Sequence, residues 1–136
     1  SIVYAYFEQV EFRMGYRSEV VLVVGKEVMP QFMVTMAKCQ EARAMCWDGA
    51  ERVMNYAEEG SILFRWDYVK WYDSYEEVRA IEDFMDWCEG ENIEVDGDTK
   101  YAADFFRFVR LGEETDDTEV RGSGFWDVGV ARKIEY

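Results

Sequence analysis

Apolar and polar positions change period several times along this chain, and each change marks an element. Ile2, Tyr4, Tyr6, Val10 and Phe12 recur with a period near two, the spacing of a half-buried strand. Met14 to Ser18 reads as a turn around Gly15, and Val20 to Val24 is a short, mostly β-branched run closed by Gly25, suited to a buried strand. From Glu27 the period lengthens. Met29, Phe32, Met33, Met36 and Cys39 recur at helical spacing, and Pro30 is tolerable in a first turn, where its missing N–H has no helical partner to lose. This methionine-rich stripe suits a core face or an adaptable binding groove. Ala42 to Ala57 also fits a helix through Met45, Cys46, Val53 and Met54, with Gly49 as its weak point.

Ser61 to Tyr72 returns to alternation through Ile62, Phe64, Trp66, Tyr68 and Tyr72. Asp73-Ser74 then offers an N-cap, and Ser74 to Glu77 has the spacing of a capping box. Val78, Ile81, Phe84, Met85 and Cys88 form the apolar stripe of the helix that follows, with Gly90 placed to stop it. Asn92 to Lys100 reads as an acidic loop, Asp104 to Leu111 as a strand, Gly112 to Gly124 as a second acidic loop. Trp126, Val128, Val130, Ile134 and Tyr136 read as a final strand. The expected fold is therefore α+β, one domain over residues 1–136, in the order ββα(α)βαββ, with helices packed on a largely antiparallel sheet.

Composition supports a packed interior. Hydrophobic residues make up 49% of the 136 and aromatics 17%, enough for one core, so global disorder is not expected. No run approaches the ~20 apolar residues of a membrane span. The first residues show no basic segment followed by an apolar run, so no leader peptide is expected, and a start at Ser1 suggests trimming. Cys39, Cys46 and Cys88 are an odd set without CxxC spacing, which fits free thiols in a reducing cytoplasm.

Charge changes the picture most. Twenty-nine acids against fifteen bases, with no histidine, give a net charge of −14. Such a chain repels nucleic acid and anionic membranes and attracts basic surfaces. The excess is local, because residues 73–98 hold eleven acids and one base, Arg79. On a wheel at ~100° per residue, Ile81, Met85, Val78 and Cys88 mark the core side of the helix. Glu76, Asp83 and Asp86 fall opposite, and Trp87 falls near that polar side. Glu89, Glu91, Glu94, Asp96 and Asp98 extend the field beyond the helix, and Glu113 to Glu119 could join it if the fold brings them near. Two unit charges ~6 Å apart repel by roughly 0.7 kcal/mol in water, so a row of carboxylates is locally unfavourable. It is either a solvated face or a surface spaced like phosphates, with Trp87 as an anchor.

The usual catalytic signatures are missing. Without histidine there is no Ser-His, Cys-His or His-metal arrangement, and no phosphate-binding glycine loop occurs. Asn92 to Ala103 places Gly97 where a calcium loop has its glycine, but Ala103 stands where the bidentate glutamate belongs. No enzyme activity, metal or cofactor is expected. The strand Phe64 to Tyr72 could line a small-molecule pocket, and its second face, with Arg65, Asp67 and Trp71, is where exposed recognition would sit.

The segments Trp66-Asp67-Tyr68-Val69-Lys70-Trp71-Tyr72-Asp73-Ser74-Tyr75 and Phe108-Val109-Arg110-Leu111-Gly112-Glu113-Glu114-Thr115-Asp116-Asp117 resemble small, uncharacterised acidic proteins of tailed bacteriophages. The resemblance covers about a fifth of the chain and transfers no functional residue. It implies a setting, the bacterial host cytoplasm, in which such proteins often inhibit host defence or nucleic-acid enzymes, some by mimicking DNA. The expected function is non-catalytic inhibition of a basic, nucleic-acid-binding or defence protein, with no direct binding to nucleic acid or membrane. The alternatives are an immunity or antitoxin-type cap for a basic toxin enzyme, or a sponge for a small nucleotide signal. In the sponge, Arg65, Lys70, Arg107 and Arg110 would line the aromatic pocket.

Overall fold

The β-branched run that opens the described chain becomes the centre of the fold. The computed structural model describes residues 15–131. Strand β1 (Ser18–Val24) buries Val20, Leu22 and Val24 on one face and Val23 on the other. Strands β2 (Glu51–Met54), β3 (Ile62–Val69), β6 (Phe106–Leu111) and β7 (Thr118–Arg121) complete an antiparallel sheet in the order β2-β3-β1-β6-β7. Helices α1 (Met29–Lys38), α2 (Gln40–Arg43) and α3 (Glu76–Gly90) pack together over one face of it. The fold is thus α+β, with helices on an antiparallel sheet, as the periodicity predicts.

Large aromatics fill the space between the layers. Phe32 of α1 lies 5.4 Å from Phe64 of β3 and 5.2 Å edge-on from Phe84 of α3. Trp71 lies 5.9 Å from Trp66 and 5.5 Å from Phe108. These centroid separations are those at which aromatic pairs contribute beyond area burial. The methionine stripe of α1 divides. Met36 is buried and Met29 packs on the core, whereas Met33 faces outward.

Several elements differ from the sequence expectation. The Ala42 to Ala57 helix stops early: after α2 the chain widens into a π-helical turn, Ala44–Gly49, and then pairs with β3 as β2. Arg52 takes the place of further helix. Its guanidinium donates to the carbonyls of Cys46 and Trp47, satisfying the turn's open end, and lies 5.4 Å from the Trp47 ring centre. The Ser74 capping box does not form. The N-cap position is Tyr75, without a side-chain cap, and Tyr75 N–H donates to the Tyr72 carbonyl at 2.9 Å. Gly90 is the last helical residue instead of the one beyond it.

The Asn92 to Lys100 loop is a hairpin of β4 (Asn92–Val95) and β5 (Asp98–Tyr101). Asp96 (φ 51°) and Gly97 (φ 83°) both take the left-handed conformation that suits a two-residue hairpin turn. The second acidic loop contains β7. The final strand is not formed over Trp126 to Val130, where the chain turns at Phe125 (φ 48°). Instead Arg107 of β6 donates to the carbonyls of Gly122 and Val128, each at 2.9 Å, so one guanidinium replaces a strand ladder. The expected strand Ile2 to Phe12, and Ile134 and Tyr136, lie outside the described residues. Among the described residues, no helix is long and apolar enough to cross a membrane.

Candidate acidic docking surface

Helix α3 forms where its sequence pattern requires. Val78, Ile81, Phe84, Met85 and Cys88 are buried against the sheet and against α1. Glu76, Asp83, Asp86 and Glu89 are left exposed on α3, and Glu91 is exposed just beyond it. Glu76 and Glu77 stand in the first turn, where the helix dipole favours anions. No basic residue stands in the last turn to offset Glu89. Glu94, Asp96 and Asp98 are exposed on the hairpin that follows directly from α3, with Asp96 at its turn. Thr99 holds Glu94 through a 2.7 Å hydrogen bond. All eight carboxylates expected from the sequence are therefore at the surface.

Trp87 differs from its expected role. It is half-buried and packs against the core, so only part of its ring remains for a partner. Its position near the polar side of the wheel did not reveal this, because the neighbouring core reaches around the helix.

The sequence also gave no sign of a cation inside this surface. Arg121 of β7 donates to Asp86 and to Glu89, each at 2.6 Å, and its own side chain is only 17% exposed. One guanidinium thus fixes two carboxylates one helical turn apart and ties α3 to the sheet edge. A 35-residue separation hides such a pair from any local pattern. Glu82 is the second surprise. Burial pushes its carboxyl up to about 7, helped by the negative charges of Asp73 and Glu119 and opposed by Arg121. Through Glu119 of β7, the second acidic stretch meets the field of α3.

The rest of that stretch is anchored elsewhere. Asp117 accepts from Arg110 at 2.7 and 3.1 Å and from the Tyr16 hydroxyl. The Arg110 guanidinium holds the Asp117 carboxyl below its ordinary range. Glu113 accepts from the Arg17 N–H at 2.9 Å. This turn borders an open depression of about 320 Å³, lined by Leu111, Glu113, Thr118 and Val130 among others.

Three of the four basic residues expected in an aromatic pocket are engaged by the chain itself. Arg65 pairs with Asp67 at 2.7 Å, Arg107 is held by two carbonyls, and Arg110 by Asp117 and Glu119. Trp71, expected on an exposed face with Arg65 and Asp67, is buried, and Tyr68 is exposed instead at 71%. Cys46 and Cys88 are buried free thiols, which burial pushes up to about 12, while Cys39 is half-buried. Among the described residues, no group of three or more acidic or cysteine side chains is placed to hold a metal. Comparison with family models, curated proteins and solved structures finds no match to this chain.

Proposed function

We propose that this chain is a non-catalytic inhibitor, encoded by a bacteriophage, that acts in the bacterial cytoplasm. It docks the carboxylate face of α3 and the β4–β5 hairpin onto a basic, nucleic-acid-binding groove of a host or defence protein. The observation that carries this reading is the set of eight exposed carboxylates between Glu76 and Asp98, two of which, Asp86 and Glu89, are held by Arg121. Held carboxylates make a better phosphate mimic than freely rotating ones, because less side-chain freedom is lost on docking. The phage setting rests on the resemblance of the Trp66 and Phe108 segments. A nucleotide sponge finds less support, since Arg65, Arg107 and Arg110 are engaged by the chain itself.

The test uses the intact chain as bait in a bacterial lysate, with duplex DNA as competitor. Basic nucleic-acid-binding proteins should be captured and then displaced by the DNA. The double variant Asp83→Lys/Glu91→Lys should lose them, because neither carboxylate is paired within the described chain. Binding to the purified target should weaken steeply with salt. Capture that ignores both the charge reversals and salt would rule out electrostatic mimicry.

A further inference from the structure

Three carboxylates of α3, Glu82, Asp86 and Glu89, recur at the spacing i, i+4, i+7 and so form one stripe along the helix. Strand β7 faces that stripe. Its register with β6 sets Arg121 beside Phe108, which is buried in the core, and Glu119 beside Arg110. Glu119 and Arg121 therefore point to the helix side and are half-buried, while Val120 between them is 47% exposed. Arg121 engages Asp86 and Glu89, each at 2.6 Å. Glu82, half-buried one turn earlier, is in no ion pair among the described residues. The charged groups around it do not supply one. Asp73, ahead of α3, and Glu119 of β7 both press negative charge on it. Arg110 of β6 is held by Asp117 at 2.7 Å and by Glu119 at 3.4 Å. Arg79, three residues back on α3, is exposed and in no ion pair among the described residues. A proton stands in for the missing cation. Glu82 shares a hydrogen bond with Asp73, and two carboxyl groups can share one only when one of them is protonated.

We propose that this seam is a proton-operated switch in which Arg121 is the moving part. While Glu82 keeps its proton, Arg121 bridges Asp86 and Glu89; when the proton leaves to solvent, Arg121 turns to the Glu82 carboxylate and releases those two. The direction follows from solvation. The Asp86 side chain is 69% and the Glu89 side chain 44% exposed, so water replaces the cation there at small cost. An ionised Glu82 is partly withdrawn from water and faces Asp73 and Glu119, so it gains more from the same cation. The move is short, because side chains one turn apart on a helix stand ~5–6 Å from each other. Burial keeps the Glu82 proton in place up to about 7, which sets the switch at neutral pH. Below that point α3 presents Asp86 and Glu89 fixed to the sheet; above it, both are free. The switch belongs to the fold whether or not α3 docks a partner, and its test needs none.

Nuclear magnetic resonance of the full chain between about pH 5.5 and about pH 8.5 reads the switch. Overhauser contacts from the Arg121 δ-methylene protons should reach the Asp86 and Glu89 side chains at the lower pH and the Glu82 side chain at the higher. The carboxyl shifts of Asp86 and Glu89 should inflect together with that of Glu82. Glu82→Gln, which cannot ionise, should keep Arg121 on Asp86 and Glu89 throughout and remove the inflection, with unchanged circular dichroism. Glu119→Gln should keep the inflection but move it to lower pH, since one of the charges pressing on Glu82 is gone. Arg121 contacts that do not change with pH overturn the proposal, as does an inflection that survives Glu82→Gln or one that Glu119→Gln leaves in place.

Discussion

At the scale of single residues, the acidic face depends on Arg121 and Glu82, neither of which the sequence pattern marked. Arg121 is mostly buried while Asp86 and Glu89 remain in contact with water, so solvent screens the pair on one side. Arg121→Ala should therefore cost about 1 kcal/mol, a fall in Tm of roughly 3–5 °C, readable by thermal denaturation. Glu82 behaves in the opposite sense to a salt-bridged acid. Folded, it keeps its proton to about pH 7; unfolded, it releases it near its ordinary value of 4.5. Between those values the folded state binds more protons, so the contribution of Glu82 to stability is fully present below about 4.5 and is lost as pH rises through 7. Glu82→Gln should remove this slope and raise stability at pH 8 by about 1 kcal/mol once screening is allowed for, as urea midpoints at pH 5 and pH 8 would reveal. Asp117 works the other way. Held low by Arg110, it contributes above its ordinary value of 3.8 and loses that contribution in stronger acid.

At the scale of elements, legibility followed the reach of the forces involved. β1, β3, α1 and α3 were legible because burial marks the sequence: an unbroken apolar run in β1, which is buried on both faces, a period of two in β3 and a helical period in α1 and α3. Ala42 to Ala57 was not, because its second half is set by pairing with β3 and by Arg52 closing the π-helical turn, and neither leaves a local period. Trp126 and Val130 alternate without forming a strand, and Trp126 is 82% exposed, so alternation alone did not signal burial there. The hairpin was within reach of the sequence. Asp96-Gly97 is a strong turn pair, but the acids around it suggested solvation instead of structure. Of the candidate site, Glu76, Asp83 and Asp86 were legible from the wheel, and the other exposed carboxylates from the excess of acids over residues 73–98. The burial of Trp87 and the Arg121 bridges were not, since both come from contacts across the fold. The turn yields a specific expectation. Gly97→Val puts a β-branched residue at φ 83° and should destabilise the hairpin by about 1–2 kcal/mol. Because β4 and β5 form a sheet of their own, amide exchange should quicken over 92–101 and stay slow in β1 and β3.

At the scale of the whole molecule, one charge distribution governs both stability and binding, and salt should move them in opposite directions. Ten of the 14 net negative charges lie within residues 73–98, the segment that contains α3 and the first part of the hairpin after it. Their mutual repulsion opposes the compact state. The attractive pairs are fewer: among the described residues, Arg65, Arg110 and Arg121 are the cations of the ion pairs, and most of their partners are substantially exposed. Screening weakens both kinds of interaction, but repulsion involves more charges over longer distances, up to the Debye length of ~8 Å at physiological salt. Raising NaCl from about 0.02 to 0.5 M should therefore raise Tm by a few degrees in calorimetry, the reverse of a fold held by surface ion pairs. Asp83→Lys/Glu91→Lys should flatten that rise, because it replaces two of the repelling charges with cations. The same salt increase should weaken docking to a basic groove, where carboxylates and cations attract across the interface. A chain whose Tm falls with salt would show that its ion pairs outweigh its repulsion. The carboxylate face would then be a network of stabilising contacts, with little free charge to offer a partner.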